Sequence, residues 1–293
     1  MLLSIFISLI VQITNPFWTY WGDGKAEVNT YETVQNRYGS ERDAKEILIY
    51  VTEPFNLEKQ VKSDSYNPDD KNHAQIFKLN RIKDFQTGIY DYNLMTSVFT
   101  AIDPFYIKNS LFSRGELVKV TFSAHDWCSH VFHQLNRKSN GMQSIVHSYF
   151  ESEGDKNNLL PTQDITLFID NLFIDVRELI REIPTGEITV YQSLENARLF
   201  HAPLNLQKAN VVKSTDSYNY TGKDHSVSII NVTSNNTNWK FIVEKDYPKK
   251  ILYYEYSIND KIINKGKLLK SSRLPYWQLH DVGDEKYLKE IGY

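Results

Sequence analysis

Between Ser123 and Asp155 the chain reads SAHDWCSHVFHQLNRKSNGMQSIVHSYFESEGD. This single stretch gathers His125, Asp126, Cys128, His130, His133, His147, Glu151, Glu153 and Asp155. Two chemistries could draw on it. A thiol becomes a nucleophile once a base takes its proton, so Cys128 with His130 or His147 could form a thiol–imidazole pair, with Glu151 and Glu153 as further acid–base candidates. Imidazole and carboxylate ligands suit zinc and related ions, so His130, His147 and Glu151 could hold a metal. The plainer alternative is a hydrogen-bonded polar face of a sheet, in which Cys128 is a small, inert hydrophobe.

The stretch can be laid out in two ways. As a helix, Ala124, Trp127, Cys128, Val131, Phe132 and Leu135 form a stripe with Ser123 as cap. As strands, Ser139-Asn140-Gly141 signals a hairpin. A two-residue Asn140-Gly141 turn then pairs Gln134 with His147, His130 with Glu151 and Cys128 with Glu153. That layout puts Asp126, Cys128, His130, Gln134, Asn136, His147, Tyr149, Glu151 and Glu153 on one face. Trp127, Val131, Leu135, Val146 and Phe150 take the other. The clean separation favours the hairpin, because a one-residue slip would destroy it. No Walker loop, dinucleotide glycine turn, HExxH or G-x-S-x-G occurs, and no cofactor is implied.

The elements that must position these residues are mostly strands. Glu46–Phe55, Gln75–Phe85, Gly88–Thr100, Leu117–Ser123 and Met142–Glu151 alternate or are rich in β-branched and aromatic residues. Glu187–Tyr191, Leu206–Val212, Ser226–Val232, Trp239–Val243, Ile251–Ile258 and Ile262–Leu269 follow, the last two flanking an Asn259-Asp260 turn. One long helix is expected over Asp164–Ile183, capped by Thr162 or Asp164 and stopped by Pro184 and Gly186. A short helix, Asp284–Ile291, closes the chain. Ser63–Asn72, Ser214–Asp224 and Ser234–Asn238 read as loops. The expected fold is mainly β (α+β): a large curved antiparallel sheet or half-open barrel packed on the long helix.

The 293 residues are 41% hydrophobic and 24% charged, the balance of a folded domain. Net charge is −3, with no basic face of nucleic-acid type. A single cysteine excludes an internal disulfide and any multi-cysteine metal site. Leu2–Ile13 is an apolar run of signal-peptide length, shorter than a transmembrane span. Residues 1–20 are therefore expected to be a signal peptide or apolar leader, and 21–293 one β-rich domain exported to the periplasm or envelope.

The pieces Arg37-Tyr38-Gly39, Val51-Thr52-Glu53, Thr87-Gly88-Ile89-Tyr90, Met95-Thr96-Ser97-Val98-Phe99, Trp127-Cys128, Gln134-Leu135-Asn136, His147-Ser148-Tyr149-Phe150-Glu151 and Pro275-Tyr276-Trp277-Gln278-Leu279 resemble an uncharacterised family of exported bacterial proteins. Some members carry the label of the septum-formation inhibitor Maf, whose N-terminal Ser/Pro/Arg signature and α/β pattern are missing here. The resemblance implies export and no activity. A looser likeness, at the level of fold, is to periplasmic lipoprotein and lipid carriers. These features lean away from an enzyme. The first expectation is an envelope binding protein with an apolar small molecule held between sheet and helix. The others are an enzyme or metal site on the Cys128–Glu153 hairpin, and an envelope protein that docks a partner through Trp18, Trp21, Tyr276 and Trp277.

Overall fold

The computed structural model describes residues 15–107, 109–163 and 165–293. The apolar run Leu2–Ile13, expected to be a signal-peptide core, lies outside the described residues. The packed chain starts no later than Asn15, whose side chain caps α1 (Pro16–Trp21) by accepting from Phe17 N–H at 3.0 Å. Phe17 and Trp21 are both buried and meet Phe77 in edge-on contacts. α1 thus packs into the core of the described residues.

The first run of strands is β1 (Ala26–Arg37), β2 (Ser40–Asn56), β3 (Val61–Lys62), β4 (His73–Thr87), β5 (Tyr90–Ala101), β6 (Phe105–Ile107) and β7 (Ser110–Phe112). It continues with β8 (Leu117–His125), β9 (His130–Lys138), β10 (Gly141–Ser148) and β11 (Lys156–Leu160). After β12 (Thr166–Phe168) come α2 (Ile169–Asp175), β13 (Gly186–Tyr191) and α3 (Leu194–Leu199). The chain ends with β14 (Gln207–Tyr220), β15 (Lys223–Ser234), β16 (Thr237–Glu244), β17 (Ile251–Ile258), β18 (Lys261–Leu274) and α4 (Lys286–Ile291).

Apart from the small β6–β7 ribbon, all strands join one sheet of 16. Its path is β11-β10-β9-β8-β5-β4-β2-β1-β18-β17-β16-β15-β14-β13-β12, with β3 beside β2. Every pairing is antiparallel except β12 with β13. The chain thus starts mid-sheet and meanders out to β11. It then crosses to the far edge at β12 and returns until β18 lies against β1, Ala26 opposite Leu274. Residues 161–165 alone join the two edges, and a chain of that length reaches only about 20 Å. The sheet must therefore curl almost fully around α2 and α3 without closing into a barrel.

The expected long helix over Asp164–Ile183 is corrected. It divides into β12, the two-turn α2 and a non-helical stretch in which Glu178 has φ 47°. Its first helical cap is Phe168, not Thr162, and Asp164 lies outside the described residues. The reason is tertiary. The polar residues Asp170, Asn171, Asp175 and Arg177 of this segment are buried, and three of them bond to other parts of the fold, Asp170 accepting from Leu194 N–H at 3.0 Å. Asn171 accepts from Thr100 Oγ1 at 2.6 Å, and Arg177 reaches Glu27 at 2.8 Å.

Two further expectations change. Ser214–Asp224 is the paired end of the β14–β15 hairpin, with Tyr218 opposite His225. Both faces there are largely exposed, so no hydrophobic alternation marks it. The β9–β10 turn uses Ser139-Asn140, pairing Lys138 with Gly141 and Gln134 with Ile145. Gly141 (φ 145°) instead admits the Leu160 carbonyl of β11, which a Cβ would strike. The register is displaced by two residues, so the separation of faces survives while the expected cross-strand pairs do not. Asn259 and Asp260, both at positive φ, form the turn between β17 and β18 as expected.

Candidate functional site

Of the residues singled out in Ser123–Asp155, most point away from one another. Asp126 closes the β8–β9 turn by accepting from Cys128 N–H at 2.7 Å, leaving Cys128 exposed. His130 is exposed opposite His125. His147 is exposed opposite Phe132 and lies 3.4 Å from Asp155. Glu151 is an exposed turn residue. Among the described residues no three His, Cys, Asp or Glu side chains are grouped so as to hold a metal ion, so His130, His147 and Glu151 are not assembled as ligands. Glu153 and His133 line one cleft, together with His201 and Arg198, which the sequence did not suggest.

At its centre, the space between sheet and α2, where an apolar ligand was expected, is packed with aromatic side chains. Tyr50, Phe77, Phe173, Trp239 and Tyr254 pack there with Trp21. Two buried ion networks run through this core. In one, Glu195 of α3 bonds Arg81 at 2.8 Å and Lys83 at 2.6 Å, and Glu46 bonds Arg81 and accepts from Tyr254. Burial pushes the Glu195 carboxyl up, but Arg81 and Lys83 overcome this and hold it below the usual carboxylate range. In the other, Arg177 pairs with Glu27, which also accepts from Asn29 at 2.7 Å and Tyr20 at 2.9 Å. A buried charge left alone is costly, so these networks fix where α2 and α3 sit.

Fixing α3 creates the candidate site. Ser193 caps α3 by accepting from Asn196 N–H at 3.1 Å, and Glu195 anchors it to the sheet. One turn beyond Glu195, Arg198 and then His201 face the strands β8–β11. Between them lies a cleft of about 520 Å³. Phe122, Val131, Val146 and Leu160 form its sheet wall, and Ala197 and Leu204 the other. This volume is in the range of small-molecule sites.

Polar groups converge in the cleft. Glu153 accepts from Ser148 Oγ at 2.5 Å and faces His201 Nδ1 at 2.7 Å. His133 Nε2 lies 2.8 Å from Ser144 Oγ. Burial presses the His133 pKa down to about 4, against the pull of Glu153, so this imidazole is neutral at pH 7. Ser144, in the cleft lining, is thus engaged by His133, and Ser148, behind Glu153, by that carboxylate. Arg198 packs over the Phe150 ring at 4.2 Å, and only its Nη2 approaches a carboxylate, Asp126 at 3.8 Å. His201 stands 48 residues from Glu153 and Arg198 sits within a six-residue helix. Neither has a local motif, so the sequence held no signal for them.

A second, more polar cleft of about 460 Å³ lies where the two sheet edges approach. It holds Glu116–Arg137 at 2.7 Å and Asp175–Arg181 at 3.3 Å, pairs that neutralise each other. No protein-family model matches the chain, and no curated protein or solved structure matches it.

Proposed function

We propose that this protein is an exported binding protein of the periplasm or cell envelope, not an enzyme, and that it holds a small, partly apolar molecule in the cleft between β8–β11 and α3. The observation that carries this reading is the cleft itself: an apolar wall of sheet residues with a few convergent polar groups. The Cys128–Glu153 hairpin, the alternative seat of an enzyme or metal site, leaves Cys128, His130, His147 and Glu151 exposed and apart, which favours the cleft. The test is extraction of protein purified from its native host, with mass spectrometry of the small molecules released, beside the variant Val146→Trp. One compound class present in wild type and depleted in the variant is expected. Its absence from wild type, together with no chemical-shift change in Val131 or Val146 on adding amphiphiles, would overturn the reading.

Partner docking is a second reading, favoured by one contact. Trp277 is 43% exposed and packs edge-on against half-buried Tyr276 at 5.4 Å. Trp21, grouped with them on sequence grounds, is 1% exposed and belongs to the core. A pull-down from envelope extracts with Trp277→Ser as control separates this reading from the first. Loss of a captured protein in the variant would favour docking.

A further inference from the structure

Arg198 carries an unmet requirement. Its side chain is 5% exposed, and it lines the cleft. Its Nε and Nη1 have no hydrogen-bond partner, and among the described residues no other side chain has two such buried atoms. The third nitrogen, Nη2, reaches only Asp126 Oδ2 at 3.8 Å, beyond hydrogen-bond distance. Asp126 is already committed, since Oδ1 accepts the N–H groups of Cys128 and Ser129 at 2.7 and 3.3 Å. A desolvated guanidinium normally binds its donors to oxygen, and leaving them unbonded is costly. The Nε–Nη2 edge is also the fork that matches a carboxylate or phosphate with two parallel hydrogen bonds.

The surroundings set the rest of the ligand. Phe150 covers one face of the guanidinium, which restricts it to in-plane bonding. Glu153 is occupied by Ser148 and His201, so it does not compete for Arg198. Lys156 adds a second positive charge to the lining, while Val131, Val146, Leu160 and Leu204 offer an apolar surface next to it. We infer that the cleft takes a single-chain amphiphile with an anionic head, a carboxylate or a phosphate monoester, whose head bonds Arg198 and whose chain lies on the β8–β11 wall. This rests on the cleft being the binding site proposed above.

Calorimetric titration of the full chain with decanoate, decyl phosphate and decan-1-ol tests it. Both anions are expected to bind about ten- to hundredfold more tightly than the alcohol, the worth of a charged hydrogen-bonded contact. Arg198→Met should erase that preference, so that both anions bind the variant no more tightly than the alcohol binds it. Arg198→Lys, which keeps the charge without the fork, should retain part of it, and it serves as the readout should the methionine variant fail to fold. The tighter of the two anions identifies the head as carboxylate or phosphate. Equal binding of alcohol and anions, or an anion preference that survives in both variants, overturns the role of Arg198 and leaves the cleft reading standing. No binding of any of the three to wild type overturns both.

Discussion

Arg177 and Glu27 are fully buried side chains 2.8 Å apart, on the segment after α2 and on a central strand. Removing one charge strands the other in a low-dielectric core, so Arg177→Met should cost about 3–5 kcal/mol in urea denaturation. The double variant Glu27→Leu/Arg177→Met should recover at least half of that, because no orphan charge remains; a double variant as weak as the single one would argue against this account. Asp170 gives a pH-dependent counterpart. Burial pushes its carboxyl from 3.8 up to about 7, with the Leu194 N–H opposing. The folded protein therefore holds this proton between about pH 4 and 7 while the unfolded chain has lost it, and stability falls as pH rises through that window. Asp170→Asn keeps an oxygen for Leu194 and removes the titration. Its advantage over wild type should grow from pH 4 to pH 8, by up to about 4 kcal/mol, and parallel urea curves for the two proteins would refute it. His133 acts in the opposite sense: its share of stability is present above about pH 6.5 and is lost as pH falls toward 4. Both proteins share that contribution, so their difference isolates Asp170. None of these residues was legible as a network. Glu27, Arg81, Glu195 and Arg177 lie far apart in the chain, and charged residues of a sequence read as solvent-facing until the fold brings them together.

Turns and strand registers show which local signals can be trusted. Asn259-Asp260 between two alternating runs is read correctly, because both residues must adopt positive φ, 48° and 61°, and Asn and Asp tolerate it. Asp260→Gly should raise stability by about 0.5–1 kcal/mol in thermal melts, since glycine takes that conformation without strain. Asn140-Gly141 carries the same signal and is misread. There the glycine's lack of a side chain serves a third strand, β11, and that demand is invisible in the two arms of the hairpin. Gly141→Ala should cost about 2 kcal/mol or more and speed amide exchange at Lys156–Leu160. Unchanged protection in β11 would mean that the close approach of Leu160 is unimportant. β1 carries no legible strand signal for a related reason. Its inward residues Glu27, Asn29, Thr33 and Gln35 are polar yet buried, so the strand has no apolar period to read. The Asp164–Ile183 stretch shows the reverse: apolar residues at helical spacing reflect burial from all sides, and α2 ends after two turns.

At the scale of the whole chain the meander has a single seam. Every other neighbouring pair of strands in the path is close in sequence, but β1 and β18 are the beginning and end of the described domain. The alternating strands made a curved antiparallel sheet legible, and the closing contact between chain ends was not, because pairing partners so distant leave no mark on either segment. The chain crosses from one edge to the other between β11 and β12, and Pro161, Gln163 and Ile165 there are exposed, which suits the crossing to cleavage. A protease site placed there would divide the protein into a piece bearing β1–β11 and a piece bearing β12–β18, each with one strand of the seam. The pieces share the aromatic core, both ion networks and the register from Ala26–Leu274 to Gln35–Asn264. An interface of that kind, apolar and continuous with a domain core, holds obligate partners together. The nicked protein should elute as one species at micromolar concentration, separate only in denaturant, and melt at a temperature that rises with protein concentration, since refolding has become bimolecular. Loss of β18 by truncation at Asp260 should instead leave β1 with an open edge in mid-sheet and abolish folding. Two pieces that part in native buffer would mean that the 161–165 crossing, rather than the β1–β18 seam, holds the curled sheet together.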